Sequence, residues 1–348
     1  METIIKKRQT EYDALRILAA FLVIVIHVST AQWELYGPTT YEWNVFNFYD
    51  TISRCCVPLF FMISGAFLLK KDIPLKKLYL NKILHLLVIY IVWAVFYALD
   101  DIIACGFYGW TGVLSFVIAG KYHLWFIPAL IGVYMLIPIL RAVIQYEDGK
   151  YIKYLLALFM VFGILKNTLL PLQYPIQGDN ITAALNRIPV ELCGYSGYFL
   201  LGYYLDSIRQ RIHIKGITAA FGYIITSLAA VIIGSLDAVH RGVPFGIFYG
   251  YFTLPVFLNA VFLFIAFQKA SPFFSRCSGS KALEKVSSAT LGIYVMHPFL
   301  LEHLDSRGIN LMAGNPIYMV LLLSISVFLV CMLVTFVIQK IPGIKKIV

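Results

Sequence analysis

Ten stretches of roughly 20 mostly apolar residues, the length that spans a bilayer core, constrain the fold of this 348-residue chain more than anything else. They cover 12–33, 48–69, 80–104, 122–141, 151–171, 189–206, 217–236, 247–268, 287–304 and 316–339. A helix rises 1.5 Å per residue, so about 20 residues match a hydrocarbon core ~30 Å thick. Only 13% of residues are charged and 60% are apolar, against about a quarter charged in a soluble domain. Lipid must therefore solvate most of the surface. In lipid every backbone N–H and C=O needs an internal partner, which a helix supplies. The expected fold is all-α: a polytopic integral membrane bundle of about ten transmembrane helices, one domain over 1–348. The short apolar piece at 110–118 is expected to form a re-entrant or loop helix. No internal repeat is visible, so the inverted-repeat signature of many secondary transporters is absent.

The net charge of +10 would point to nucleic acid in a soluble protein. Here the charges mark sidedness instead, and no nucleic-acid partner is expected. With the N-terminus inside, 21 of the 28 lysines and arginines fall at the termini and in alternate loops, for example Lys6-Lys7-Arg8, Lys76-Lys77 and Lys345-Lys346. The opposite loops hold only Lys121, Arg187, Arg241 and Arg307. By the positive-inside rule both termini are cytoplasmic and the number of spans is even. The first span follows basic residues as a signal peptide would. It is longer than a typical signal core and interrupted by Asp13 and Arg16, so it reads as a retained anchor. Six cysteines without CxxC spacing indicate neither a disulfide framework nor a metal site.

Ionisable residues inside spans cost about 2.5–3.5 kcal/mol each and are candidates for function. Arg16 and His27 lie 11 residues apart on the first helix, close to three turns, and so share a face about 16 Å apart along the axis. Asp13 stands three residues before Arg16, within pairing reach. Arg16 can be read as a snorkelling interfacial residue paired with Asp13, and His27 as a histidine hydrogen-bonded between helices. Together they read as a polar track into the bundle. Arg54 opens the second span, where Ser64-Gly65 permits close packing or a kink. His123 and Trp125 open the fourth. In the ninth, His297 precedes Pro298, which has no N–H for the carbonyl of Tyr294, so a bend is expected there. Lys166 and Glu191 read as snorkelling or structural ion-pair residues.

Five motifs in order resemble those of the membrane acyltransferase 3 family. Arg16-x10-His27 resembles its first-helix motif. Arg54-x-x-Val57-Pro58-x-Phe60-Phe61-x-x-Ser64-Gly65 resembles its second helix. His123-Leu124-Trp125-Phe126, with Tyr134 and Pro138, resembles its fourth. Tyr198-Phe199-x-x-Gly202-Tyr203 resembles its sixth, and Gly292-Ile293-Tyr294-x-x-His297-Pro298 its ninth. Where many members carry a basic pair entering helix three, this chain reads Tyr79-Leu80-Asn81-Lys82, so Lys82 is the match, with Lys76 and Lys77 as alternatives. No appended hydrolase-like domain is expected. The chain is similar to the compact, surface-polysaccharide type, such as the O-acetyltransferase of enterobacterial common antigen.

The resemblance implies a multi-pass enzyme of the bacterial cytoplasmic membrane. It would move an acetyl or other short acyl group from cytoplasmic acyl-CoA, with no metal, to a hydroxyl of a surface glycan or lipid-linked glycan. His27 would be the catalytic base or a transient acyl carrier, since histidine can do either near neutral pH. Arg16 would bind the phosphate or pantetheine end of acetyl-CoA with its planar, always-charged fork. Asp13, Arg54, Ser64, Lys82, His123, Trp125 and His297 would bind donor or acceptor or orient His27. Membrane lipid is the remaining partner. The competing expectation is an amino-acid carrier, related to the membrane part of vancomycin-type serine racemases, in which the same residues line a solute path.

Overall fold

The computed structural model describes residues 9–172, 194–276 and 280–348. All described regular structure is helical. The chain runs α1 (Thr10–Thr30), α2 (Tyr41–Ser53), α3 (Cys56–Leu68), α4 (Leu84–Cys105), α5 (Trp110–Ala119), α6 (Phe126–Met135) and α7 (Ile137–Gln145). It continues through α8 (Lys150–Leu158), α9 (Gly194–Ser207), α10 (Gly216–Arg241), α11 (Leu254–Lys269), α12 (Ser280–Ser288), α13 (Thr290–Asp305) and α14 (Pro316–Ile338). Wide π turns lead into α4 at Tyr79–Ile83 and continue α8 at Phe159–Leu165, before a last helical piece at Lys166–Leu172.

Each of the ten apolar segments contains a helix. Six described spans are long and apolar enough to cross a bilayer alone: Thr10–Leu35, Tyr41–Leu68, Leu75–Cys105, Lys150–Leu170, Gly216–Arg241 and Pro316–Ile338. The pair α6–α7, bent by 45°, makes a seventh. In the other three segments α9, α11 and α13 have 14, 16 and 16 residues. The start of the sixth segment lies outside the described residues, as do Arg187, Glu191, Cys193 and Cys277. The piece at 110–118 is the separate, largely exposed helix α5.

The bundle is an all-α membrane fold with its apolar surface turned outward. Leu87, Ile91, Leu99, Ile225, Ile232 and Leu333 on α4, α10 and α14 are all exposed. In water such a surface would aggregate; in lipid it is solvated. α1 occupies the opposite position. It packs against α2, α3, α11, α12, α13 and α14, and even Glu11 and Asp13 at its start are buried.

Prolines decide where the helices break. Pro58 offers no N–H to the carbonyl of Arg54, and the second segment, expected as one helix, is interrupted at Arg54–Cys55. Pro138 stands at the start of α7, just past the bend. At the α2–α3 break Arg54 grips Asp50 through two 2.8 Å contacts, from Nε and from a terminal guanidinium nitrogen. Asp50 is 1% exposed, so this is a buried ion pair.

Of the two readings for Ser64-Gly65, the structure has close packing. α3 and α9 form the most extensive helix contact. A Cβ added at Gly65 would overlap the Phe199 backbone carbonyl, and one at Gly202 would overlap the backbone of Met62. The two glycines let the backbones touch.

Two predictions concern stability. Gly65→Ala and Gly202→Ala are each expected to cost at least the ~1–3 kcal/mol of ordinary overpacking. The cost would appear as a lower Tm and loss of monodisperse protein on gel filtration in detergent; wild-type melting would mean that α3 and α9 can part. Arg54→Ala leaves a buried carboxylate alone and is expected to cost about 3–5 kcal/mol. Adding Asp50→Ala should recover part of that loss, and a double mutant as unstable as the sum of the two would refute the coupling.

Candidate active site

The site is organised along α1. Near its start, Asp13 accepts a 2.8 Å hydrogen bond from the Ser287 hydroxyl, and Ser287 accepts one of 3.2 Å from Arg16. Arg16 also lies 3.6 Å from Asp13. The pairing of Asp13 with Arg16 is therefore present, but α12 draws both inward. Arg16 keeps 30% of its side-chain surface exposed. Tyr134 lies near Ser64 and within electrostatic range of the Arg16 guanidinium, so α3 and α6 approach from the other side.

Toward the far end of α1 the His27 ring packs 5.0 Å from the ring of His297 and 5.3 Å from that of Tyr122. Arg16 thus meets Ser287, and His27 meets His297 ten residues further on. α1 therefore runs in the same direction as α12–α13, and its two polar positions face one continuous wall. The ten residues from Ser287 to His297 rise about 15 Å at helical pitch, close to the ~16 Å between Arg16 and His27 on α1.

His297 is fully buried. Its Nδ1 lies 2.7 Å from the Tyr294 carbonyl, the oxygen that Pro298 leaves without its usual N–H. A carbonyl only accepts, so Nδ1 carries the proton, and a neutral ring presents Nε2 as a lone pair. Nε2 has no hydrogen-bond partner. His123 comes into the same cluster, its ring 5.4 Å from that of His297 and 5.2 Å from that of Tyr97. Its backbone carbonyl accepts from the Tyr294 hydroxyl. Neither ring nitrogen of His123 makes a well-formed hydrogen bond.

A cleft of about 430 Å³ opens beside His27. Its polar lining includes Gln32, Tyr122, Glu302, Asp305 and Asn310. Lys121 pairs with Glu302 at 2.8 Å, and Asn310 donates to Asp305 at 2.9 Å. The buried Gln32 Oε1 has no donor. The wall around His27 is thus rich in hydrogen-bond acceptors.

Arg54 reaches the cluster from the α2–α3 break. Its charge acts on the His27 ring, and its guanidinium carbon lies 4.6 Å from the Tyr249 ring centroid and 6.0 Å from that of Tyr251. Trp125 packs on the same Tyr251 at 5.7 Å and on Tyr195 at 5.5 Å. His27, His123 and His297, with Arg54 and Trp125 behind them, therefore form one neighbourhood; Arg16, Asp13 and Ser64 form a second, deeper along α1. Lys82 joins neither. It stands exposed on the wide turn before α4, beside His85 and Lys346.

Several residues of the site were not singled out from sequence. Asp50, four residues before Arg54 in an apolar stretch, was a readable helical partner. Tyr122 stands next to His123. Tyr97 and Tyr251 carry no local signal, because a tyrosine in an apolar span is ordinary.

A family model described as an acyltransferase domain matches residues 9–336. No curated protein and no solved structure matches the chain. The match spans all five motifs and both polar neighbourhoods, and the chain belongs to the membrane acyltransferase 3 family.

Proposed function

We propose that the protein transfers an acetyl or other short acyl group from cytoplasmic acyl-CoA to a hydroxyl of an extracytoplasmic glycan or lipid-linked glycan. The observation that carries this reading is the placement of His27 in an acceptor-rich cleft while Arg16, about three turns away on the same helix, stays partly exposed. A glycan presents hydroxyl donors, which suit Glu302, Asp305 and Gln32. The distribution of positive charge favours the Arg16 end as cytoplasmic, with the protein in the bacterial inner membrane. Of the two function classes, the family assignment favours acyl transfer over amino-acid transport.

The residues at the Arg16 end fit a phosphorylated, amide-rich donor arm. Asp13 and Ser287 orient the guanidinium, and Ser64 and Tyr134 add hydroxyls beside it. An acyl thioester at the far end of such an arm, about 16 Å along α1, supplies an activated carbonyl beside His27. His27 takes the proton of the acceptor hydroxyl as its oxygen bonds to the acyl carbon. The carbon–sulfur bond breaks, and His27 returns the proton to the thiolate. His297, with its lone pair on Nε2 and its ring 5.0 Å away, orients His27 for both transfers. Arg54 supplies positive charge for the oxyanion.

The purified protein in liposomes, given labelled acetyl-CoA, is expected to lose at least ~100-fold in transfer on His27→Ala, the usual scale of general-base catalysis. Arg16→Ala is expected to raise KM for acetyl-CoA more than it lowers kcat. Undiminished transfer by His27→Ala would sink the mechanism, and serine uptake independent of acyl-CoA would replace the reading with a carrier.

A further inference from the structure

Downstream of Pro298 the backbone of α13 contains a foreign hydroxyl. In a regular helix the N–H of Phe299 donates to the carbonyl of Val295. Here Phe299 N–H also meets the Tyr97 hydroxyl, to which it donates at 3.2 Å. That hydroxyl donates in turn to the Val295 carbonyl, at 2.8 Å. Tyr97 belongs to α4, about 200 residues away in sequence, and is 1% exposed. Pro298 takes one N–H out of the ladder, and the Tyr97 hydroxyl bridges the next N–H and the carbonyl one turn back.

Two consequences meet at His297. Pro298 leaves the Tyr294 carbonyl free for His297 Nδ1, one residue from the carbonyl that the Tyr97 hydroxyl holds. The Tyr97 ring also packs edge-on against His123, whose ring touches His297. One tyrosine thus fixes both the backbone around His297 and a neighbour of its ring. A plain backbone repair would need the hydroxyl alone.

We propose that Tyr97 is a positioning residue: its hydroxyl, spliced into α13 at Pro298, holds His297 with Nδ1 on the Tyr294 carbonyl and its ring against His27. The catalytic consequence rests on the acyl-transfer reading above. The placement of His297 does not, so the two are tested separately.

The full-length protein is labelled with 15N-histidine, and both the imidazole spectrum and acetyl transfer are measured. Tyr97→Phe is expected to lose the Nδ1–H signature of His297 and at least tenfold in kcat, with KM for acetyl-CoA within twofold. Its Tm should fall, because two backbone groups lose their partner. Pro298→Ala restores an N–H and lets α13 close its own ladder. It is expected to raise Tm while losing the same signature and activity. A merely structural role predicts activity following Tm in both variants, so Pro298→Ala, with Tm raised and activity lost, separates the two. Retention of the His297 signature, or of kcat within twofold, in either folded variant overturns the proposal. If Tyr97→Phe does not fold, Pro298→Ala decides alone. If the wild type transfers no acyl group, the functional reading falls, and the histidine spectrum still decides the positioning.

Discussion

Every polar group on α1 must be answered from a neighbouring element, because α1 is enclosed and lipid offers no partner. Arg209 meets Glu11 at 2.8 Å. Asp206 accepts from the Tyr12 hydroxyl at 2.6 Å, and Gln268 donates to it at 2.9 Å. Lys70 pairs with the same Asp206. Ser287 ties Asp13 and Arg16 together, and His297 and Tyr122 enclose His27. These contacts set the rotation and depth of α1 against α9, α11, α12 and α13. The long apolar helices α4, α10 and α14 turn an exposed apolar side to lipid and need no such answers there.

Three prolines shape the rest. Pro58, Pro138 and Pro298 stand four residues after Arg54, Tyr134 and Tyr294. Each withdraws an N–H from the carbonyl of a residue in one of the two polar neighbourhoods. At Pro58 the break sets an arginine between a buried carboxylate and two tyrosines. At Pro138 it bends α6 away from α7 just past the tyrosine beside Arg16. At Pro298 the freed carbonyl fixes the proton of a histidine. The helices break near Pro58 and Pro138 and run on through Pro298, and the polar neighbourhoods gather around all three.

The architecture was legible because apolar length is a strong signal: a helix occurs in every one of the ten segments. The breaks were legible only in part. Pro298, where a bend was expected, lies inside the unbroken helix α13, whereas Pro58 sits within an apolar run that reads as one helix and is interrupted. His27, His123 and His297 could be picked out singly, since each is costly in lipid, and helical spacing linked Arg16 to His27. Their convergence depends on which helices touch, which periodicity does not encode. Tyr97 shows the limit most clearly, because it bonds to the backbone of a distant helix beside a proline. Lys82 shows the converse: motif position singles it out, yet it stands on the surface apart from both neighbourhoods.

The enclosure of α1 also has a consequence in time. α1 is made early, while Asp206 follows Tyr12 by 194 residues and Ser287 follows Asp13 by 274. Arg16 and His27 therefore enter the bilayer long before Ser287 and His297 exist. During synthesis α1 carries an arginine insertion penalty of about 2.5–3.5 kcal/mol on the lenient scale, with no partner from α12 or α13. Until then Asp13 is the partner that Arg16 has within α1, and the contacts from Ser287 and His297 are still to come. The arrival of α12 and α13 is what completes both polar neighbourhoods, so a half-built copy holds neither of them whole.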